Sequence, residues 1–257
     1  MTTVCELYEY LNDAYPADLS CSWDNDGLMC CADRTAPVRR VLCALDVTEG
    51  TIEEAVALGC DCIVSHHPMI FRKMASVTDG DIGGRRVIGL LGKGITVMSF
   101  HTRLDAVAGG VNDTLCRVLG MEVEGTFGLD GEALGRIAVW SGEPTLDAFC
   151  AHLRDVLGTP AVHAVDAGLP VYRVAVLGGD GKDDWEAALR AGADTYLTGT
   201  MSYNTLLDAR AAGLNVAAAG HFYTERPVME VVAAQIRSRF SDVEAVVSAR
   251  DCDVLTL

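Results

Sequence analysis

Three short runs of the chain are apolar without alternation: Val41–Leu45, Cys62–Ser65 and Ile95–Phe100. Continuous apolar runs of this length predict strands buried on both faces. Between them the period changes. Residues 3–15 place Val4, Leu7, Tyr8 and Leu11 on one helical face, and Pro16 stops the run. Thr48 is placed to cap a helix over Glu49–Leu58 that Gly59 closes, and Arg86–Lys93 and Asn112–Leu119 read as further helices. Residues 72–84 are polar and bear glycine, which predicts a loop. The second half repeats this grammar. Strands are predicted over Gly135–Trp140, Tyr172–Leu177, Thr195–Thr198, Asn215–Ala219 and Val243–Ala249, and helices over Thr145–Leu157, Asp183–Ala191, Ser202–Ala212 and Glu225–Phe240. Strands alternating with helices predict an α/β fold with much parallel sheet.

The two halves resemble each other. A shift of 133 positions lays Arg40, Val41, Ala55, Gly59 and Asp61 on Arg173, Val174, Ala188, Gly192 and Asp194 without a gap. Gly94-Ile95-Thr96-Val97 then resembles Gly213-Leu214-Asn215-Val216, and His101 and His221 follow equivalent strands. This predicts an internal duplication into two α/β lobes, residues 1–127 and 128–257, with the C-terminal segment available to pack back on the first lobe.

Composition narrows the field. The 257 residues are 50% hydrophobic and carry a net charge of −16, with a pI near 4.6. Nucleic-acid binding relies on Lys and Arg displacing counterions from phosphates, so this balance argues against it. No apolar run approaches the roughly 18 residues of a membrane span, and Glu6, Glu9 and Asp13 interrupt the N-terminal helix where a signal peptide would be apolar. The ten cysteines form no C-x-x-C pair, and several lie inside apolar runs. They read as reduced thiols, which fits a cytoplasmic protein.

The candidate chemistry sits at strand ends. Ser65-His66-His67-Pro68 follows one predicted strand, His101-Thr102-Arg103-Leu104-Asp105 another, and Gly220-His221-Phe222-Tyr223-Thr224-Glu225 a third. Four of the six histidines occupy these places; His152 and His163 read as structural or surface residues. Imidazole with carboxylate is a ligand set for divalent transition metals, and a bridging carboxylate can hold two of them close enough to share one water. A strand-end histidine pair that is merely hydrogen-bonded is the plainer alternative. Gly178-Gly179-Asp180-Gly181 precedes a helix and reads as a tight turn or as a phosphate cradle. Arg72, Lys73 and Arg103 lie near the motifs, either as solvated charge or as phosphate partners, and Tyr223 and Thr224 either orient substrate or pack.

Together these stretches resemble the Nif-three-like dinuclear metal proteins, also labelled GTP cyclohydrolase 1 type 2 homologues, over nearly the full chain. Asp24-Asn25-Asp26-Gly27-Leu28 resembles the family's D-N-x-G-L, and Leu45-Asp46-Val47-Thr48 its L-D-x-T. Ser65 to Phe71 resembles H-H-P-x-x-F, and His101 to Asp105 with Gly110-Val111-Asn112-Asp113 resembles H-T-x-L-D and G-V-N-D. Asp194 to Gly199 and Gly220 to Glu225 resemble D-x-x-x-T-G and G-H-x-x-T-E. The resemblance implies two similar three-layer α/β/α lobes and a toroidal homohexamer. It also implies two divalent metal ions per chain, Zn, Mn, Fe, Ni or Co, held between the lobes by His66, His67, Asp105, His221 and Glu225, with His101 as a ligand or close partner. Thr200 and Asn204 depart from the acidic residue and histidine common in the family, which bears on the substrate pocket. The implied activity is hydrolysis of a guanine nucleotide by a metal-bound hydroxide. The alternatives are a metal-dependent phosphoesterase and a non-catalytic metal-binding or regulatory scaffold.

Overall fold

The computed structural model describes residues 1–129, 131–251 and 254. It is a mixed α/β protein with two sheets, and its described residues divide into two compact units: residues 1–104 with 229–251 and 254, and Asp105–Val228. The first change of unit falls at Leu104/Asp105 where 127/128 is expected, and the C-terminal strand returns to the first sheet by parallel pairing. Among the described residues no helix is long and apolar enough to cross a membrane.

In the first unit, α1 (Val4–Ala14) opens on a capping box in which the Thr3 hydroxyl accepts from Glu6 N–H and the Glu6 carboxylate accepts from Thr3 N–H. The strands are β1 (Gly27–Cys30), β2 (Arg40–Ala44), β3 (Cys62–Ser65), β4 (Thr96–Ser99) and β11 (Glu244–Val247), in the order β1-β4-β3-β2-β11. Helix α2 (Glu49–Leu58) starts at Thr48 and ends at Gly59, whose φ of 66° supplies the left-handed cap. Helix α3 (Ile82–Gly92) begins four residues before the predicted Arg86, because Asp81 caps it by accepting from Gly84 N–H. Leu42, Ile63 and Val97 of the sheet pack with Ala55 of α2 and Val87 and Leu90 of α3. Helix α10 (Pro227–Arg239) precedes β11.

Strands β2, β3 and β4 are parallel, with Ala44 opposite Ser65 and Ser65 opposite Ser99. Parallel pairing brings the C-terminal ends of neighbouring strands to one edge of the sheet, where α/β proteins bind ligands. The Ser65 and Ser99 hydroxyls meet there at 2.8 Å. His66-His67 and His101 leave the sheet immediately beyond.

The chain passes through α4 (Thr102–Ala106) into the second unit, where α5 (Val111–Val118) follows. Its strands are β5 (Glu122–Phe127), β6 (Gly135–Val139), β7 (His163–Val165), β8 (Arg173–Asp180), β9 (Thr195–Thr200) and β10 (Asn215–Ala218), in the order β5-β6-β8-β9-β10-β7. Both faces of this sheet are covered. Val174 and Val176 pack with Leu115 and Cys116 of α5 and with Phe149 and Leu153 of α6 (Leu146–Leu157). Ala175 and Leu177 turn the other way, toward Ala187 and Ala188 of α7 (Trp185–Arg190) and Leu206 and Ala209 of α8 (Tyr203–Ala211). This alternation is the period of two of a strand. Strands β8, β9 and β10 are parallel, with Leu177 opposite Thr198 and Thr198 opposite Ala218. Their ends carry Gly178-Gly179, Gly199 and Gly220, and α9 (His221–Glu225) starts at the last of these. The predicted helix Glu225–Phe240 is observed as α10, which starts at Pro227; Glu225 itself ends the short helix α9, and Arg226 separates the two.

Candidate metal centre

In the first unit, three predicted residues come together. His66, His67 and His101 each offer one ring nitrogen, and these nitrogens lie within 4.8 Å of one another. The second nitrogen of each ring is held in place. His66 Nδ1 lies 3.0 Å from the Phe100 carbonyl oxygen, His67 Nδ1 2.8 Å from Asp46 Oδ1, and His101 Nδ1 2.9 Å from Asp24 Oδ1. Carbonyl and carboxylate oxygens only accept, so each Nδ1 carries the proton and donates it. Each Nε2 then carries the lone pair. This is the arrangement by which an oxygen behind a histidine orients it toward a metal.

Asp24 is the most constrained of these supports. Its side chain has no exposed surface. Oδ2 accepts from Thr102 N–H at 3.1 Å and from the Thr102 hydroxyl at 2.7 Å, while Oδ1 faces His101. Burial alone would raise the pKa of its carboxyl, but the hydrogen bonds from His101 and Thr102 outweigh it and hold the group well below the usual carboxylate range. Asp24 and Asp46 stand in quoted motifs, yet no spacing rule marks them as supports. Their role follows only once the strands bring distant segments to one edge.

Arg103 is not a phosphate partner. Its guanidinium is buried against Asp26, with Nε to Oδ2 at 2.9 Å, and Nη1 donates to Asn12 Oδ1 and to the Tyr15 carbonyl. The pair ties the loop before β1 to α4 and α1. Arg72 and Lys73 are exposed.

In the second unit, His221 and Glu225 are one helical turn apart on α9, with Nε2 and Oε2 separated by 3.0 Å. Glu225 is 5% exposed and Asp105, at the end of α4, is 8% exposed. Three glycines make room for the turn. A Cβ on Gly179, whose φ is +71°, would collide with Glu225 Oε1, one on Gly199 would lie 2.8 Å from His221 Cα, and one on Gly220 would lie 2.7 Å from the Tyr223 ring. Gly178-Gly179 thus lies within β8 and gives the Glu225 carboxylate its clearance. Thr224 is a packing residue: fully buried, its hydroxyl accepts from Gly179 N–H at 3.1 Å and reaches the Gly220 and His221 carbonyls. Asn112 is a residue to which the sequence assigns no role. Its Oδ1 accepts from Gly178 N–H at 2.8 Å, and its Nδ2 donates to Leu134 O at 2.9 Å and to Asp105 O at 3.5 Å. One buried amide therefore joins the end of β8 to the backbone of Asp105.

His152 is structural as expected, with Nε2 3.0 Å from the Leu119 carbonyl. The nine described cysteines are free thiols.

The family model described as Duf34/NIF3 (NGG1p interacting factor 3) matches residues 2–253. The chain is 34% identical over 249 residues to the "GTP cyclohydrolase 1 type 2 homolog" of Clostridium perfringens, covering 95% of each. It is 30% identical to the "Protein NIF3 homolog" of Schizosaccharomyces pombe, covering 98% of this chain and 96% of the relative. Its fold matches a Bacillus cereus protein related to NIF3 with a TM-score of 0.90, at 24% identity over 100% of this chain and 99% of that one. On the match across its length and these relatives, the chain belongs to the DUF34/NIF3 family.

Proposed function

We propose that this protein is a metal-dependent hydrolase that holds two divalent ions, with His66, His67, His101, Asp105, His221 and Glu225 as the candidate ligands. The observation that carries this reading is the common anchoring of three imidazoles through Nδ1 onto Phe100 O, Asp46 and Asp24. A plain structural histidine does not call for a whole cluster with one tautomer. When bound, the ions would supply Lewis acidity and lower the pKa of a shared water. The chain's part is to hold the three rings, keep the Asp105 and Glu225 carboxylates buried, and fix Glu225 through the clearance at Gly179.

The reading extends to substrate and assembly. Relatives carry the name GTP cyclohydrolase 1 type 2 homolog, so a guanine nucleotide is the first substrate to assay. We take the two units as products of a duplication. In its support, β2-β3-β4 and β8-β9-β10 are each three parallel strands in chain order, each with an antiparallel strand on the last of them, β1 on β4 and β7 on β10. We place the protein in the cytoplasm as a ring-shaped hexamer, which light scattering would test.

The deciding experiment is metal content per chain by elemental mass spectrometry, beside His67→Ala and Glu225→Ala. The reading expects close to two ions in the parent and fewer in either variant. No bound metal after loading with Zn, Mn, Fe, Ni or Co would overturn it.

A further inference from the structure

Trp23 and Phe71 stand out among the exposed residues near the histidines. Trp23 is 58% exposed and Phe71 47%. Both rings lie against His101. The Trp23–Phe71, Trp23–His101 and Phe71–His101 centroids are 6.3, 6.2 and 6.2 Å apart, and the interplanar angles of 71°, 77° and 88° make every pair edge-on.

Neither ring is exposed because its loop is loose. The Trp23 segment is pinned on both sides, by Cys21 N–H donating to Thr102 Oγ1 at 2.9 Å and by the buried Asp24 bonds. The Phe71 segment is anchored by Met69, Ile70 and Met74, which pack onto the core of the first unit. The Asn25 amide donates to the Ile70 carbonyl and joins the two segments. Among the apolar side chains from Met69 to Met74, the aromatic one has most to gain from burial, and it is the one left outside. Arg72 and Lys73 follow it directly, exposed, in a chain of net charge −16.

We propose that Trp23 and Phe71 are specificity-determining residues: an aromatic rim beside His101 on which a flat heteroaromatic ring stacks, with Arg72 and Lys73 meeting an anionic group attached to it. Rings of this kind bind by dispersion and quadrupole contact with aromatic faces, which tolerates many ring substituents and rejects the same molecule without its ring. The anion would find two cations where the rest of the chain repels it. This inference rests on the reading that the histidine cluster is a reactive centre, and it adds how the centre selects what it acts on.

The test is calorimetric titration of the full chain with guanosine monophosphate and with ribose 5-phosphate, before and after metal removal. Metal content and sedimentation are recorded on the same samples. Trp23→Ala and Phe71→Ala should weaken guanosine monophosphate about five- to hundredfold and leave ribose 5-phosphate unchanged, and Trp23→Phe should restore most of the loss. Failure of the parent to bind guanosine monophosphate, an equal loss for both probes, or an unchanged affinity in the alanine variants would each overturn the rim. So would a shift in sedimentation caused by Trp23→Ala, which would mean that a second copy covers the rings. If metal content is normal while the rim fails, the hydrolase reading survives. If the parent holds no metal yet loses guanosine monophosphate on Trp23→Ala, the rim stands and the hydrolase reading falls.

Discussion

Gly179 leaves the space that the Glu225 carboxylate fills: a Cβ at this position would collide with Glu225 Oε1 and lie 3.3 Å from His221 Nε2. Two penalties are thus combined at one residue, a left-handed φ of +71° and a steric block. Gly192 separates them, since it has a φ of +79° with nothing within 4 Å of an added Cβ. Gly192→Ala should cost only the backbone strain, about 1–2 kcal/mol, with metal content unchanged. Gly179→Ala should add the displacement of Glu225 and reduce metal affinity by about 10–100-fold. Urea denaturation with elemental analysis distinguishes the two; equal metal content in both variants would remove the link between Gly179 and the site.

Asp24 orients His101 through chemistry that an amide reverses. In Asp24→Asn the side-chain oxygen is drawn to the two Thr102 donors now served by Oδ2, which turns the amide NH2 toward His101 Nδ1. Two donors cannot face each other, so the imidazole proton moves to Nε2 and removes the lone pair from that nitrogen. Metal affinity should fall by about 10–100-fold with little change in far-ultraviolet circular dichroism. Competition with a chromophoric chelator measures the first, and nitrogen NMR of the imidazole reads the tautomer directly. An unchanged tautomer would show that Asp24 does not set it.

Asn112 serves as a buried connector. Asn112→Ala leaves Gly178 N–H without its acceptor in a fully buried position. The loss should be about 1–3 kcal/mol, read as a lower urea midpoint. A readout beyond stability is the backbone amide shift of Gly178, which should move in the variant even under conditions where the protein remains folded.

How much of this was legible beforehand depends on the range of the interaction. Thr48, Gly59 and the run Cys62–Ser65 act locally, and the elements they predict over Glu49–Leu58 and Cys62–Ser65 are those observed. The six candidate ligands were marked by residue type and by their position after strands. Strand β1 is not among the predicted strands, because Asp24-Asn25-Asp26-Gly27 carries a strong local turn signal while its pairing with β4 is long-range. Strand β5 was missed because Glu122 and Glu124 break the apolar pattern of a sheet edge. Arg103 was open to a phosphate reading because nothing in the spacing of Asp26 and Arg103 announces a buried ion pair. Glycine clearance was the hardest to see, since the reason for Gly179 lies 46 positions away at Glu225.

Asp184 carries a stability cost that pH should reveal. Burial, reinforced by the negative charges of Asp183, Glu132 and Asp180, pushes its carboxyl up to about 6 from an ordinary value of 3.8. At pH 5 the unfolded chain has released this proton while the folded chain still holds it. Stability therefore falls as pH rises from about 4 to about 6, and above that the penalty is complete. The side chain makes no capping bond at the start of α7, so removing its charge sacrifices none. Asp184→Asn should stabilise the protein at pH 7 by about 1 kcal/mol after allowance for solvent screening, or about 2–4 °C in Tm. The advantage over the parent should vanish near pH 4 and shrink with added salt at pH 7. Scanning calorimetry from pH 4 to 8 measures it, and a pH-independent difference between parent and variant would mean that Asp184 titrates as an ordinary surface carboxylate.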